Sequence, residues 1–270
     1  ETDSDRKDMS QDTDEILKNL TTEQATVLKK IIGTNQQQLI FMHGGGGTGK
    51  THVTCKLVSI MESRDEFCCC ACPTGVGACY LPGGRTFHST FKAWQSSLSA
   101  SHVINDIATD LHGNKLKAVM IDEVSMFTAE FLVLLNDRLR SIYDPMKPFG
   151  GISIILSGDF IQLPATGGTD LWAVMYGHVK GELATARELF SRFFVLNMTQ
   201  QMRAANCADH CRRLTAYRVL PKSYPKGDRW TAADIATFQP INENIVSGLT
   251  RELTEEDVLT EPRWLTEATI

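Results

Sequence analysis

The chain has 270 residues, 42% of them hydrophobic, enough to bury one large α/β domain or one and a half. No apolar run approaches the ~20 residues of a membrane span, and the polar, acidic start from Glu1 to Glu15 fits neither a signal peptide nor a basic transit peptide. The net charge of −5 resides in residues 1–15, which hold seven acidic residues against two basic ones, so the remainder is neutral and a local basic groove for a polyanion stays open.

Residues 1–19 read as an acidic tail. The chain does not open with Met, which suggests a piece of a longer protein. Thr21-Thr22-Glu23-Gln24 opens a helix, with Thr21 as N-cap and Gln24 at the capping-box position. Val27, Leu28, Ile31 and Ile32 give that helix its buried stripe, and Gly33 ends it.

Apolar Leu39-Ile40-Phe41-Met42 predicts the first strand. It runs into Gly44, Gly45, Gly46, Gly47, Thr48, Gly49, Lys50 and Thr51, after which Val53, Leu57, Val58 and Met61 recur at helical spacing. Strand, glycine-rich loop and helix form the context that a phosphate-binding P-loop requires. Glycines let successive N–H groups face a polyphosphate, and the helix N-terminus adds partial positive charge. Lys50 then reaches the β- and γ-phosphates, and the Thr51 hydroxyl sits on Mg²⁺. A flexible glycine turn with a chance lysine explains neither the spacing nor the flanking elements. The residues predict a site for a nucleoside triphosphate.

A second strand, Phe67–Cys72, leads to Pro73-Thr74-Gly75-Val76-Gly77-Ala78, and the loop Pro82-Gly83-Gly84-Arg85 leads to Thr86-Phe87-His88-Ser89-Thr90-Phe91. Cys68, Cys69, Cys70 and Cys72 read as small hydrophobes in a buried strand, which points to a reducing compartment. Cys207, His210 and Cys211 share a helical face but lack the second ligand pair of a structural zinc site. Ala118–Ile121 is a third strand ending in Asp122-Glu123, and Phe127, Phe131, Leu134, Leu135 and Leu139 mark a long amphipathic helix. Ile152–Leu156 is a fourth strand ending in Ser157-Gly158-Asp159, Glu182–Phe190 a helix, and Phe193–Leu196 a fifth strand. Short, nearly continuous apolar strands separated by helical patterns predict a mostly parallel sheet covered on both faces, with ligands at the carboxyl ends. Beyond Arg203, a helix over Ala204–Tyr217 is followed by a turn-rich stretch and a further helix start at Thr254.

The strand ends carry the chemistry. Asp122 and Glu123 read as a Walker B pair, Asp122 holding Mg²⁺ and Glu123 deprotonating the attacking water. Gln162 can bond the γ-phosphate or the attacking water, or merely cap a turn. Arg203 can stabilise transition-state charge, or lie on a helix surface.

Gly44–Thr51, Ala71-Cys72-Pro73-Thr74-Gly75, Thr86-Phe87-His88-Ser89, Ile121-Asp122-Glu123-Val124-Ser125-Met126, Gly158-Asp159-Phe160-Ile161-Gln162-Leu163-Pro164 and Gln201-Met202-Arg203 occur in this order. Together, over roughly residues 20–205, they resemble the Pif/RecD-like (petite integration frequency) DNA helicases of superfamily one. The resemblance implies that Gln24 reads adenine, in competition with its capping role. It implies that Lys50 and Thr51 hold phosphate and Mg²⁺, that Asp122 and Glu123 are the Walker B pair, and that Gln162 senses the γ-phosphate. Arg203 matches the arginine that the second lobe points at the nucleotide. Thr74 and His88 match positions that touch the single-strand backbone. Such helicases walk 5′ to 3′ along single-stranded DNA and separate duplexes ahead. Beside that analogy, Arg85 adds a phosphate-binding cation, and Phe87 or Phe91 offers a stacking face or packs in the core.

Two departures from the family stand out. A glycine occupies a position in Gly75-Val76-Gly77-Ala78 where the family usually shows alanine, which loosens that loop. The family's later motifs have no counterpart before Ile270, although Glu261-Pro262-Arg263-Trp264 resembles the approach to them. The expectation is therefore an α/β fold: a RecA-like P-loop NTPase lobe over residues 20–200 and the incomplete start of a second lobe over 201–270. Its ligands are ATP, Mg²⁺, single-stranded DNA and duplex junctions, with no membrane partner, and its setting is nuclear or mitochondrial in a eukaryote and otherwise cytoplasmic. The chain by itself is expected to bind Mg-ATP, hydrolyse it slowly and leave duplexes intact. The rivals are a non-unwinding DNA-binding module or transposon-type helicase remnant, and another P-loop enzyme such as a small-molecule kinase.

Overall fold

Strands with apolar residues on both faces need cover on both faces, and that requirement organises this chain. The computed structural model describes residues 16–94, 101–160, 162–175 and 181–203. Within them, six parallel strands stand in the order β3-β2-β4-β5-β1-β6. The strands are β1 (Leu39–Gly44), β2 (Phe67–Cys72), β3 (Arg85–Thr86), β4 (Leu116–Ile121), β5 (Ser153–Gly158) and β6 (Phe194–Met198). The helices are α1 (Thr22–Ile32), α2 (Lys50–Ser63), α3 (Gly75–Cys79), α4 (Phe87–Phe91), α5 (Ser101–Asp110), α6 (Ala129–Ile142) and α7 (Glu182–Ser191).

Side chains alternate across each strand. Phe41, Cys69, Ala71, Val119, Ile121, Ile154 and Leu156 enter one core with residues of α5, α6 and α7. Their neighbours Ile40, Met42, Cys68, Cys70, Cys72, Ala118, Met120 and Ile155 enter the other, under α1 and α2. The cysteines are thus packing residues, and burial pushes the Cys69 thiol up to about 12. Among the described residues, no group of His, Cys, Asp and Glu is placed to hold a metal by itself, and no helix is long and apolar enough to cross a membrane. Cys207, His210 and Cys211 lie outside the described residues.

The register brings the carboxyl ends of the strands level. His43 pairs with Gly158, Gly44 with Met198, and Ala71 with Ile121. The loops after β1, β4, β5 and β6 therefore leave the sheet side by side, while those after β2 and β3 leave at its far edge.

Several details depart from the sequence expectations. Four elements are additional: the short helices α3 and α4, the two-residue strand β3, and α5, whose Val103 and Ile107 pack in the core together with Leu111 just beyond it. The fourth and fifth expected strands extend to Gly158 and Met198. Ile16, Leu17 and Leu20 pack against the second core, so ordered packing begins inside the stretch expected to be tail. The first of two units closes at Arg203, and the expected helix over 204–217, like all later elements, lies outside the described residues.

Candidate functional site

The glycine-rich loop leaves β1 at Gly44 and becomes α2 at Lys50. Gly47 and Gly49 have φ of +82° and +85°, the left-handed region that glycine enters without cost. Gly49 caps α2 with no side-chain hydrogen bond, so the first N–H groups of a 14-residue helix remain for an anion. Thr48 Oγ1 donates to the Gly45 carbonyl at 2.9 Å and tightens the loop. Lys50 Nζ donates to the carbonyls of Gly44 at 2.8 Å and Gly45 at 3.0 Å, which holds the ammonium in the mouth of the loop. Thr51 stands half-buried in the first helical turn. A cation, uncapped helix N–H groups and a hydroxyl at one loop are donors suited to a polyphosphate.

Gln24 is buried against this loop. Its Oε1 accepts the Thr21 N–H at 3.1 Å, while its Nε2 donates to the Thr48 carbonyl at 3.4 Å. One amide therefore completes the capping box and touches the P-loop at once, without choosing between them. Its neighbour Glu23, which the sequence reading passed over, accepts Thr199 N–H at 2.8 Å, Thr199 Oγ1 at 2.6 Å and Gln200 N–H at 3.2 Å. Burial works to raise its carboxyl pKa, but these three donors outweigh it and leave Glu23 below its ordinary value.

That tie leads the chain after β6 back to the P-loop. Gln201 Nε2 donates to the Gly46 carbonyl at 2.9 Å, and the N–H groups of Met202 and Arg203 donate to the Gly47 carbonyl at 2.8 and 3.1 Å. Gln201, Met202 and Arg203, expected to open the second lobe, belong to the same unit as the loop. The Arg203 backbone is fastened there and its side chain is exposed.

The turn after β4 carries Asp122, buried, and Glu123, half-buried. Glu123 has φ 55° and ψ 50°, a left-handed conformation costing a non-glycine residue roughly 1–3 kcal/mol, which the surrounding packing must hold. The fully buried Val124 anchors it. Burial raises the Glu123 carboxyl pKa, the Asp122 and Asp159 charges raise it further, and Lys50 opposes them. A base that keeps its proton more readily suits general-base work. Asp159, at the end of β5, is buried with its Oδ1 3.6 Å from His43 Nε2, and neither residue was assigned a role from sequence. Gln162 is exposed, its backbone N–H donates to Asp159 at 3.0 Å, and its Nε2 lies 3.9 Å from where a Cβ on Gly46 would stand. Gln24, Lys50, Thr51, Asp122, Glu123, Gln162 and Arg203 thus come to the level ends of β1, β4, β5 and β6.

Thr74, Arg85 and His88 sit apart from them, around β2 and β3. The Thr74 hydroxyl caps α3 by accepting Gly77 N–H at 3.1 Å. Arg85 is exposed and lies 3.4 Å from Asp110, which Lys92 also meets at 3.4 Å. The His88 ring stands edge-on to Phe131 at 4.9 Å. Of the two readings of Phe87 and Phe91, core packing holds for both: each is fully buried, because α4 turns them into the core with Phe127 and Phe131.

The PIF1-like helicase family matches residues 19–216. The ATP-dependent DNA helicase PIF1 of Xenopus laevis is 29% identical over 208 residues, covering 72% of this chain and 31% of that protein. The Danio rerio protein of the same name is 33% identical over 152 residues, covering 55% and 23%. The chain spans about a third or less of the length of these curated relatives. Among solved structures, Bacteroides Pif1 bound to ssDNA superposes with a TM-score of 0.51 at 25% identity, covering 68% of this chain and 42% of that one. The Pif1 helicase from Candida albicans gives 0.52 at 21% identity, covering 86% and 56%, a likeness of fold. With this RecA-like sheet and a match across most of its length, the chain belongs to the PIF1-like helicase family.

Proposed function

We propose that the chain is the ATPase lobe of a 5′-to-3′ DNA helicase, coupling Mg-ATP hydrolysis to movement along single-stranded DNA and to duplex separation. The observation that carries this reading is the attachment of Gln201, Met202 and Arg203 to the P-loop carbonyls, beside Glu123 in a left-handed turn where burial raises its carboxyl pKa. A protein that only bound nucleotide would need neither a water-activating carboxylate nor an arginine brought to that loop.

In this reading Gln24 reads adenine, the backbone of Gly44 to Gly49 cradles the phosphates, and Lys50 holds the β- and γ-phosphates. Thr51 and Asp122 hold Mg²⁺, which when bound neutralises phosphate charge. Glu123 accepts the proton of the attacking water, and Gln162 orients that water and registers loss of the γ-phosphate. Arg203 stabilises the charge that develops on the phosphoryl group. Thr74, Arg85 and His88 grip the DNA backbone without reading bases. Relatives named ATP-dependent DNA helicase, and Bacteroides Pif1 structures with ssDNA and with ADP-AlF4, support the reading.

The test is an anisotropy titration of labelled single-stranded oligonucleotides at several salt concentrations, with and without a slowly hydrolysed ATP analogue and Mg²⁺. The expected result is sequence-independent binding that weakens linearly in log–log form with salt and shifts when nucleotide is present. A chain that bound nucleotide yet ignored DNA at every salt concentration would instead be a P-loop enzyme of another class.

A further inference from the structure

We propose that Tyr80 is a base-stacking platform for single-stranded DNA, set on the surface formed by residues 73–94, a stretch with no Asp or Glu of its own; the inference rests on reading the chain as a DNA-tracking lobe. The whole chain holds 32 acidic residues against 27 basic ones, yet residues 73–94 contain Arg85, His88 and Lys92 and no Asp or Glu. Asp110, at the end of α5, pairs with both Arg85 and Lys92 at 3.4 Å, so two cations share one carboxylate and the remaining local imbalance favours a polyanion over a basic protein partner.

The stretch leaves β2 at its carboxyl end, forms α3, and returns as β3 beside Ala71 and Cys72. Ala78 is the buried residue of α3. Val76 and Tyr80 lie two residues to either side of it, about 200° around a helix of 3.6 residues per turn, and so share the opposite face. Each is 73% exposed. The Tyr80 backbone is fixed, because its N–H donates to the Gly77 carbonyl at 3.2 Å and closes the helix. Thr74 caps the other end of the same helix, about 9 Å away at 1.5 Å rise per residue. A hydroxyl suited to phosphate and a ring suited to a base therefore stand at the two ends of one short rigid element.

With Phe87 and Phe91 turned into the core, Tyr80 is the exposed ring between Thr74 and Arg85. Aromatic stacking accepts any base, because every base has a π-face, and so adds affinity without sequence preference. Trp94, 60% exposed, is the other candidate ring of the stretch, but it follows α4 rather than lying between Thr74 and Arg85.

The experiment compares a labelled oligothymidylate with an abasic deoxyribose-phosphate chain of equal length, for the parent chain and for Tyr80→Ala, Tyr80→Phe and Trp94→Ala. The parent should bind oligothymidylate more tightly than the abasic chain. Tyr80→Ala should weaken oligothymidylate binding about 5- to 100-fold, leaving abasic binding and its salt dependence unchanged. Tyr80→Phe and Trp94→Ala should behave like the parent, and all variants should keep the parent melting temperature because the changed side chains are exposed. An unchanged oligothymidylate-to-abasic ratio in Tyr80→Ala, or its loss in Trp94→Ala instead, overturns the assignment. Equal parent binding to both oligonucleotides sinks the stacking proposal and leaves the DNA reading standing. Parent binding to neither sinks both.

Discussion

Gln201 donates its amide N–H to the carbonyl of Gly46 at 2.9 Å, joining positions 155 residues apart. Among the described residues its own amide oxygen is buried without a hydrogen-bond partner. Arg203, two residues on, donates its own backbone N–H to the Gly47 carbonyl at 3.1 Å in the same turn. Replacing Gln201 by Ala should lower ATP turnover about 3- to 10-fold, the range expected for one lost hydrogen bond, while the melting temperature falls by no more than ~4 °C. Steady-state kinetics with a parallel thermal melt would separate the two effects.

Glu23 makes a second tie, from the start of α1 to Thr199 and Gln200. Because the folded carboxyl lies below its ordinary value, its contribution is fully present above the unfolded value and is lost as pH falls through the folded one. Glu23→Gln should therefore lower the melting temperature by about 2–5 °C at neutral pH and by less in acid. A melting-temperature difference that stayed constant from pH 7 to pH 3 would contradict the charged role.

Legibility from sequence followed sequence distance. The P-loop was readable because eight contiguous residues carry its chemistry, with its strand and helix on either side. The capping box of Thr21 and Gln24 was readable for the same reason. Glu23 and Gln201 were not, since their partners lie 176 and 155 residues away and only the sheet register brings them together. Phe87 and Phe91 were left between stacking and core packing because aromatic rings beside Arg85 and His88 fit either role in one dimension. In three dimensions α4 points both inward, and the exposed ring of the stretch is Tyr80, which no sequence motif singles out. The helix α5 was hidden behind a serine-rich run, although Val103, Ile107 and Leu111 keep a four-residue spacing.

Asp110 meets both Arg85 and Lys92 at 3.4 Å, so one carboxylate occupies two cations that DNA phosphates would otherwise attract. Asp110→Asn should tighten single-strand binding about 3- to 10-fold at low salt, and steepen the log–log salt slope by roughly 0.7 for each cation released. Anisotropy titrations across a salt series give both quantities. Weaker binding in the variant would mean that Asp110 positions those cations rather than competing for them.

The raised Glu123 carboxyl makes a prediction about pH. Burial and the Asp122 charge favour its protonated form, and only the ionised form can take a proton from water. Turnover should therefore fall on the acid side through a pKa above the ordinary 4.5 of a glutamate. A profile of kcat/KM against pH locates that limb; one at or below the ordinary value would argue that the catalytic carboxylate lies elsewhere.

The most direct measurement is a paired assay of nucleotide binding and hydrolysis on Glu123→Gln and Lys50→Ala. Glu123→Gln keeps the shape of the turn after β4 but cannot accept a proton, so it should bind a slowly hydrolysed ATP analogue like the parent and lose turnover by about 10²-fold or more. Lys50→Ala removes the cation now held against the Gly44 and Gly45 carbonyls, and should lose both tight binding and turnover. Hydrolysis by Glu123→Gln at the parent rate would contradict the account, because the strained left-handed turn would then be building something other than the base of an ATPase.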